Sequence, residues 1–287
     1  MKSSEKPIIA IMYDFDKTLS KSDMQDYGFI PALGMTPSEF WAETSKFQAA
    51  SGVERILSYM YTMVHLCKEK GIKLTKESLN EMGKNIQYFK GVETWFKRID
   101  KFGKDIGVKI EHYIISSGTK EILEGCSIAK YFKEMFGCEF YFDPVTKEPV
   151  WPKLAINYTQ KTQFIYRIRK GVFDLNDDTT INTKVENIRI PYTNMIYLGD
   201  GMTDIPCMQL VQNNHGHSIA IFSKKDEAAL KKLVAEKRTN VCAKADYSEG
   251  SDLEKIIKSI IQTVASEAFL KLESKKLSKK LGLEWKN

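Results

Sequence analysis

The run Ile8-Ile9-Ala10-Ile11-Met12-Tyr13 passes without interruption into Asp14-Phe15-Asp16-Lys17-Thr18. Consecutive apolar residues with no alternation describe a strand buried on both faces, the situation of a central strand in a parallel sheet. This strand ends in two carboxylates at i and i+2. In extended backbone both lie on one face, and in a turn both still converge at the strand's carboxyl edge. Carboxylates so close repel one another, so the pair calls for a cation or a proton between them. Whatever the chain folds into must bury residues 8–13 and give Asp14 and Asp16 something to do.

Further β-type runs occur at 110–116, 139–142, 195–198 and 218–222, with helical patterns between them. Strands alternating with helices predict a parallel α/β sheet covered on both faces. Residues 22–104 carry no strand signal. There Thr36-Pro37-Ser38-Glu39 is a capping box with proline at the first helical position, opening a helix to about residue 47. Val53, Ile56, Leu57, Met60, Val64 and Cys67 follow at helical spacing, as do Leu79, Met82, Ile86 and Phe89. The expectation is an α/β domain from residues 1–20 and 105–287, with an all-helical domain inserted at 21–104. Leu253, Ile256, Ile257, Ile260, Ile261 and Val264 predict a late helix that packs an apolar stripe on the sheet.

With 43% hydrophobic and 28% charged residues over 287 positions, the chain is neither disordered nor fibrous. Its formal charge of +6 is concentrated at one end, where residues 271–287 hold six lysines against two glutamates. A basic tail of this kind reads as a solvated helix end, and no nucleic-acid partner is expected. The most apolar uncharged run, 56–67, falls short of the roughly 20 residues of a membrane span. The N-terminal run meets Asp14 too early for a secretory signal, so a cytoplasmic chain with no membrane partner is expected. Cys67, Cys126, Cys138, Cys207 and Cys242 are scattered without a C-x-x-C pair. That suits buried thiols in a reducing compartment and no structural zinc.

Three more segments suit one site with Asp14 and Asp16. Ile114-Ile115-Ser116-Ser117-Gly118-Thr119 closes the second strand with small hydroxyls and a glycine, which suit a phosphoryl oxygen at a helix N-terminus. Lys161 lies near the start of a helix whose apolar face continues through Phe164, Ile165 and Ile168. Tyr197-Leu198-Gly199-Asp200-Gly201-Met202-Thr203-Asp204 ends another buried strand with two acids around a glycine turn.

D-x-D-x-T, S-G, Lys and G-D-G-x-x-D, in that order at strand ends, resemble the four motifs of the haloacid dehalogenase superfamily. The likeness covers roughly residues 5–20 and 105–250, and it looks closest to phosphoserine-phosphatase-like members, which carry a helical cap after motif one. It implies a Rossmann-like, three-layer α/β/α parallel sheet with the helical block as cap. Asp14 matches the nucleophile, Asp16 the acid/base, Thr18 a motif-one partner and Lys161 the motif-three lysine. Ser117, with Gly118 beside it, matches the phosphate-binding hydroxyl; Ser116 replaces it if the strand ends one residue earlier. Asp200 matches a Mg2+ ligand and Asp204 a second acid near the metal, with Asp14 and Asp16 completing the acidic set. Relatives that act on carbon or on a carbon–phosphorus bond lack an aspartate at the position of Asp16. The implied activity is a Mg2+-dependent phosphohydrolase of a small phosphorylated metabolite, working through an aspartyl phosphate. A phosphomutase uses the same aspartates and is the alternative; a non-catalytic binding protein with a basic tail is the reading from another class.

Other features carry less. Asp174, Asn176 and Asp178 imitate a calcium loop, but Thr179 stands where glycine is needed and Val185 where glutamate is needed. Residues 171–192 form a polar insertion, read as a surface loop or a family-specific contact. His215-Gly216-His217 reads as a solvated glycine turn. Of the aromatics Trp41, Trp95, Tyr59, Tyr61 and Tyr88, most should be core, with one or two facing the site.

Overall fold

The fold is seen in a computed structural model, which describes residues 6–184, 188–223 and 234–281. Strands β1 (Ile8–Tyr13), β2 (Lys109–Thr119), β3 (Phe132–Phe142), β4 (Pro149–Leu154), β5 (Met195–Gly199), β6 (His217–Phe222) and β7 (Val241–Lys244) form one sheet. The order is β4-β3-β2-β1-β5-β6-β7, and only the β3–β4 pair is antiparallel. Burial follows the apolar runs: Ile9 to Tyr13 are fully buried, as are Met195 to Leu198.

Around the sheet lie α1 (Phe29–Ala32), α2 (Pro37–Ser51), α3 (Arg55–Glu69), α4 (Lys76–Gly83), α5 (Val92–Asp105), α6 (Lys120–Gly125), α7 (Lys161–Lys170), α8 (Asp178–Asn182), α9 (Ile205–Asn213) and α10 (Asp252–Lys280). Side-chain alternation along β2 separates the two faces. His112 meets Phe96 of α5, while Tyr113 points the other way toward Phe173, just past α7. Helices α5 and α10 pack together, as do α7 and α9. The chain leaves β1 toward β2 and β3, then returns to β5 on β1's other side. That reversal opens a crevice at the carboxyl ends of β1 and β5, where open α/β sheets bind their ligands.

The helical block of residues 21–104 divides in two. α5 is a crossover helix on the sheet: it buries Val92, Trp95, Phe96 and Ile99, and the Trp95 indole N–H donates to the Tyr13 hydroxyl at 2.9 Å. Arg98 on the same helix pairs with Glu254 of α10 at 2.9 Å. Helices α1 to α4 stand over the end of the sheet instead, with α2 on α3 and α4 on α6. The α4–α6 crossing is so close that a Cβ on Gly125 would lie 1.8 Å from the Asn80 carbonyl oxygen. Helix α4 ends at Gly83, before Ile86 and Phe89, and Tyr88 then bridges to Ser20 and returns the chain to the end of β1.

The capping box of α2 forms as the sequence predicts. In α10 the stripe Leu253, Ile257, Ile261 and Val264 is buried, whereas Phe269 and Leu270 beyond it are 62% and 63% exposed. Lys286 and Glu284 of the basic tail lie outside the described residues. Strands β4 and β7 escape the sequence reading because they are edges: β4 carries Pro149 and Pro152, and its Trp151 is 71% exposed. All five cysteines are free, and among the described residues no helix is long and apolar enough to cross a membrane. In the 171–192 insertion Asp174 Oδ1 accepts the Asn176 amide and Arg189 grips Glu111; Val185 lies outside the described residues.

Candidate active site

At the end of β1 the Asp14 N–H extends the ladder to the Leu198 carbonyl at 2.8 Å. The chain then wraps on the Phe15 carbonyl, which accepts the amides of Thr18, Leu19 and Ser20. To make that turn Lys17 adopts φ 57°, a left-handed conformation that costs energy for a residue with a side chain. The turn separates the two motif-one carboxylates. Asp14 faces the crevice between β1 and β5, while Asp16 Oδ1 accepts the Met24 amide at 2.8 Å. Lys17 reaches away to Asp23 at 2.9 Å.

Lys161 is the first residue of α7 and is buried, with Nζ 2.8 Å from Asp14 Oδ1 and 2.8 Å from Asp204 Oδ1. The Tyr197 hydroxyl donates to the same Asp204 oxygen at 2.7 Å, so Asp204 is fixed by a cation and a phenol. Space for it comes from Gly199, where a Cβ would approach the Asp204 carboxyl carbon to 2.5 Å. The first glycine of G-D-G-x-x-D is thus a packing requirement of the last aspartate.

Asp14, Asp200 and Asp204 each offer an oxygen within 4.8 Å of the others. Burial, with the charge of Asp204, pushes the Asp14 carboxyl up to about 6 despite Lys161. Burial and the charges of Asp14 and Asp204 push Asp200 up to about 8. The Asp16 carboxyl is also held well above the usual range, by burial and then by Asp23 and Asp14. Burial disfavours the Lys161 charge, but the two aspartates outweigh it and raise the ammonium's pKa. The site therefore holds more negative charge than Lys161 neutralises. An all-oxygen donor set with unneutralised charge fits a hard divalent cation. Asp16, expected among the metal ligands, stands outside this group because its carboxylate turns to Met24.

A cavity of about 390 Å³ opens over these groups. Asp14, Asp16, Ser116, Ser117, Gly118, Lys161 and Asp200 line it, so most of the sequence-predicted residues are brought together. Thr18 and Asp204 are fully buried behind it; the Thr18 carbonyl accepts the Tyr247 hydroxyl, and its own Oγ1 has no partner. Of the two motif-two serines, Ser116 Oγ accepts the Gly118 amide at 2.9 Å. Ser117 Oγ is buried without any partner. From the helical block, Asp23, Gln25, Trp41, Glu54, Arg55 and Tyr59 are among the residues that add to the wall. The Tyr59 hydroxyl donates to the Ser117 carbonyl at 2.8 Å, a direct link from α3 to motif two. Of the aromatics singled out in the helical block, Trp41 and Tyr59 face the site, while Trp95 is core and Tyr61 stacks on Phe47 outside it; Tyr158, just before α7, lines the cavity as well. Arg55, Asp23 and Tyr197 were not singled out from sequence, where no local pattern marks them.

Similarity to solved structures is extensive in length and low in identity. A phosphoserine phosphatase with substrate bound superposes with a TM-score of 0.56 at 19% identity, over 89% of this chain and 99% of that one. The chain shares the fold of phosphoserine phosphatases. A haloacid dehalogenase family hydrolase from Salmonella enterica serovar Typhi gives 0.55 at 20% identity, over 84% of this chain and 69% of that one. An apo phosphoserine phosphatase gives 0.54 at 19%, over 87% and 98%. No family model matches the sequence. An uncharacterized protein of Borreliella burgdorferi is 28% identical over 272 residues, covering 86% of this chain and 94% of that protein. Within this fold, the four segments at β1, β2, α7 and β5 meet at one crevice.

Proposed function

We propose that this chain is a Mg2+-dependent phosphohydrolase of small phosphorylated metabolites, with Asp14 as nucleophile. The observation that carries the reading is the position of Asp14: held by buried Lys161, grouped with Asp200 and Asp204, and open to a cavity under the helical block. Asp14, Asp200 and Asp204 are the residues that would hold magnesium. When bound, the ion supplies positive charge beside the phosphoryl oxygens, letting a dianionic ester approach an acidic site.

The chain's own groups divide the remaining work. Asp14 attacks phosphorus; its Oδ–P bond forms as the bond to the leaving oxygen breaks. Asp16, whose carboxyl is pushed upward by burial and then by Asp23 and Asp14, gives a proton to the leaving alkoxide. It then takes a proton from the water that attacks phosphorus, releasing phosphate and restoring Asp14. Lys161 meets charge on the transferring group and steers the Asp14 carboxylate, while the Ser117 hydroxyl, which has no partner of its own, donates to a phosphoryl oxygen. Helices α1 to α4 serve as the cap, excluding water and choosing the leaving group, with Tyr59 as the latch to motif two. The free thiols fit a reducing, cytoplasmic setting.

The test is phosphate release from para-nitrophenyl phosphate. We expect turnover with magnesium, and none with chelator or with Asp14→Asn. Equal rates in all three refute the proposal, and isomerisation of a sugar phosphate without free phosphate marks a phosphomutase instead.

A further inference from the structure

Next to the phosphoryl cavity lies a second one of about 610 Å³, walled by Thr44, Ser45 and Gln48 of α2 together with Lys17, Asp23, Trp41 and Arg55. The last four residues also line the first cavity, so the two chambers are neighbours that share a wall at Lys17, Asp23, Trp41 and Arg55. Each chamber falls within the roughly 300–1,000 Å³ of drug-sized ligand sites. A three-carbon phosphate ester does not need the second.

Its chemistry is legible from the wall. Thr44 is 3% exposed in the middle of α2, and its Oγ1 has no hydrogen-bond partner. An unsatisfied buried hydroxyl costs about 1–3 kcal/mol and calls for a partner. Gln48, half-buried one turn further along the helix, adds an amide. Lys17 and Asp23 neutralise each other at 2.9 Å. Trp41 offers a large apolar face, held edge-on by Phe40 and Tyr59. The wall on α2 is thus neutral and rich in hydrogen-bonding groups, with one aromatic plate, and Arg55 donors stand at the junction.

We infer that the second chamber receives the far end of an elongated, polyhydroxylated leaving group, making the substrate a sugar- or sugar-alcohol-type phosphomonoester. This rests on the hydrolase reading and extends it to the substrate class. Hydroxyls along such a chain satisfy Thr44 and Gln48, the carbon skeleton lies on Trp41, and the phosphate sits at Asp14.

The experiment compares sorbitol 6-phosphate, glycerol 3-phosphate and phosphoserine. Turnover is measured on the wild type, and binding is measured by calorimetry on Asp14→Asn with magnesium. The expected result is at least tenfold tighter binding and higher kcat/KM for sorbitol 6-phosphate than for either short ester. Thr44→Val with Gln48→Leu should cut the sorbitol-to-glycerol ratio by about fivefold per lost hydrogen bond. Thr44→Ser should keep that ratio. Preference for phosphoserine or glycerol 3-phosphate, or a ratio that ignores the double variant, overturns the inference while leaving the hydrolase reading intact. Discriminating binding with no turnover of any ester does the reverse.

Discussion

Lys161 Nζ lies 2.8 Å from Asp14 Oδ1, joining residues 147 positions apart in the chain. The same ammonium meets Asp204, and no member of the trio is more than slightly exposed. A buried charge pair contributes little net stability, but removing one partner strands the other. Lys161→Met should therefore destabilise the metal-free protein by about 3–5 kcal/mol at neutral pH and abolish turnover. Urea unfolding checks it, and a loss below about 1 kcal/mol contradicts a fully desolvated trio.

Proton and metal should compete at the aspartates. The folded pKa of Asp14, about 6, and of Asp200, about 8, both exceed the ordinary 3.8. The native state thus binds more protons than the unfolded chain, and metal-free stability should fall as pH rises from about 4 through about 8. Magnesium needs the deprotonated carboxylates, so its affinity should rise over pH 6 to 8 with proton release. Asp200→Asn should raise the metal-free Tm at pH 8, each kcal/mol moving it by about 2–4 °C. Calorimetry in buffers of different ionisation enthalpy reads the proton count; pH-independent affinity refutes this.

The two serines should part company. Ser117→Ala removes a hydroxyl that bonds nothing in the free protein, so we expect at least a tenfold loss of kcat/KM with little change in stability. Ser116→Ala deprives the Gly118 amide of its acceptor and should lower stability by about 1–3 kcal/mol. Kinetics and thermal melts on both variants decide it, and the reversed pattern contradicts the assignment.

Far from the site, Glu111 is buried, yet Arg189, Tyr113, Lys109 and Lys133 hold it down to about 2 against an ordinary 4.5. A depressed folded pKa contributes stability that is present above about 4.5 and lost as pH falls toward about 2. The stability difference between wild type and Glu111→Gln should shrink across that window. A difference that stays constant in acid unfolding contradicts the cluster's role.

Much of this was legible in the sequence where one cause dominated. β1, β5 and the core of β2 are uniform apolar runs, and only a doubly covered sheet buries them. β4 and β7 were hidden because edge strands need no such run. Residues 92–104 fall within the inserted helical block as read from sequence, since the lack of a strand signal does not say what a helix packs against; the Trp95–Tyr13 hydrogen bond supplies the partner. The motif spacing put Asp14 and Asp16 on one site. It could not show that a left-handed Lys17 turns Asp16 to Met24 and out of the acidic trio. Nor does any local pattern single out Arg55, or Tyr197 fixing Asp204, because both depend on elements meeting in space.

The most direct test of the account is chemical trapping of the Asp14 acyl phosphate. Borohydride reduces an aspartyl phosphate to homoserine, so protein quenched with borohydride during turnover of para-nitrophenyl phosphate should carry homoserine at position 14 and nowhere else. Continued turnover with an unmodified Asp14, or with the modification at another residue, would contradict it.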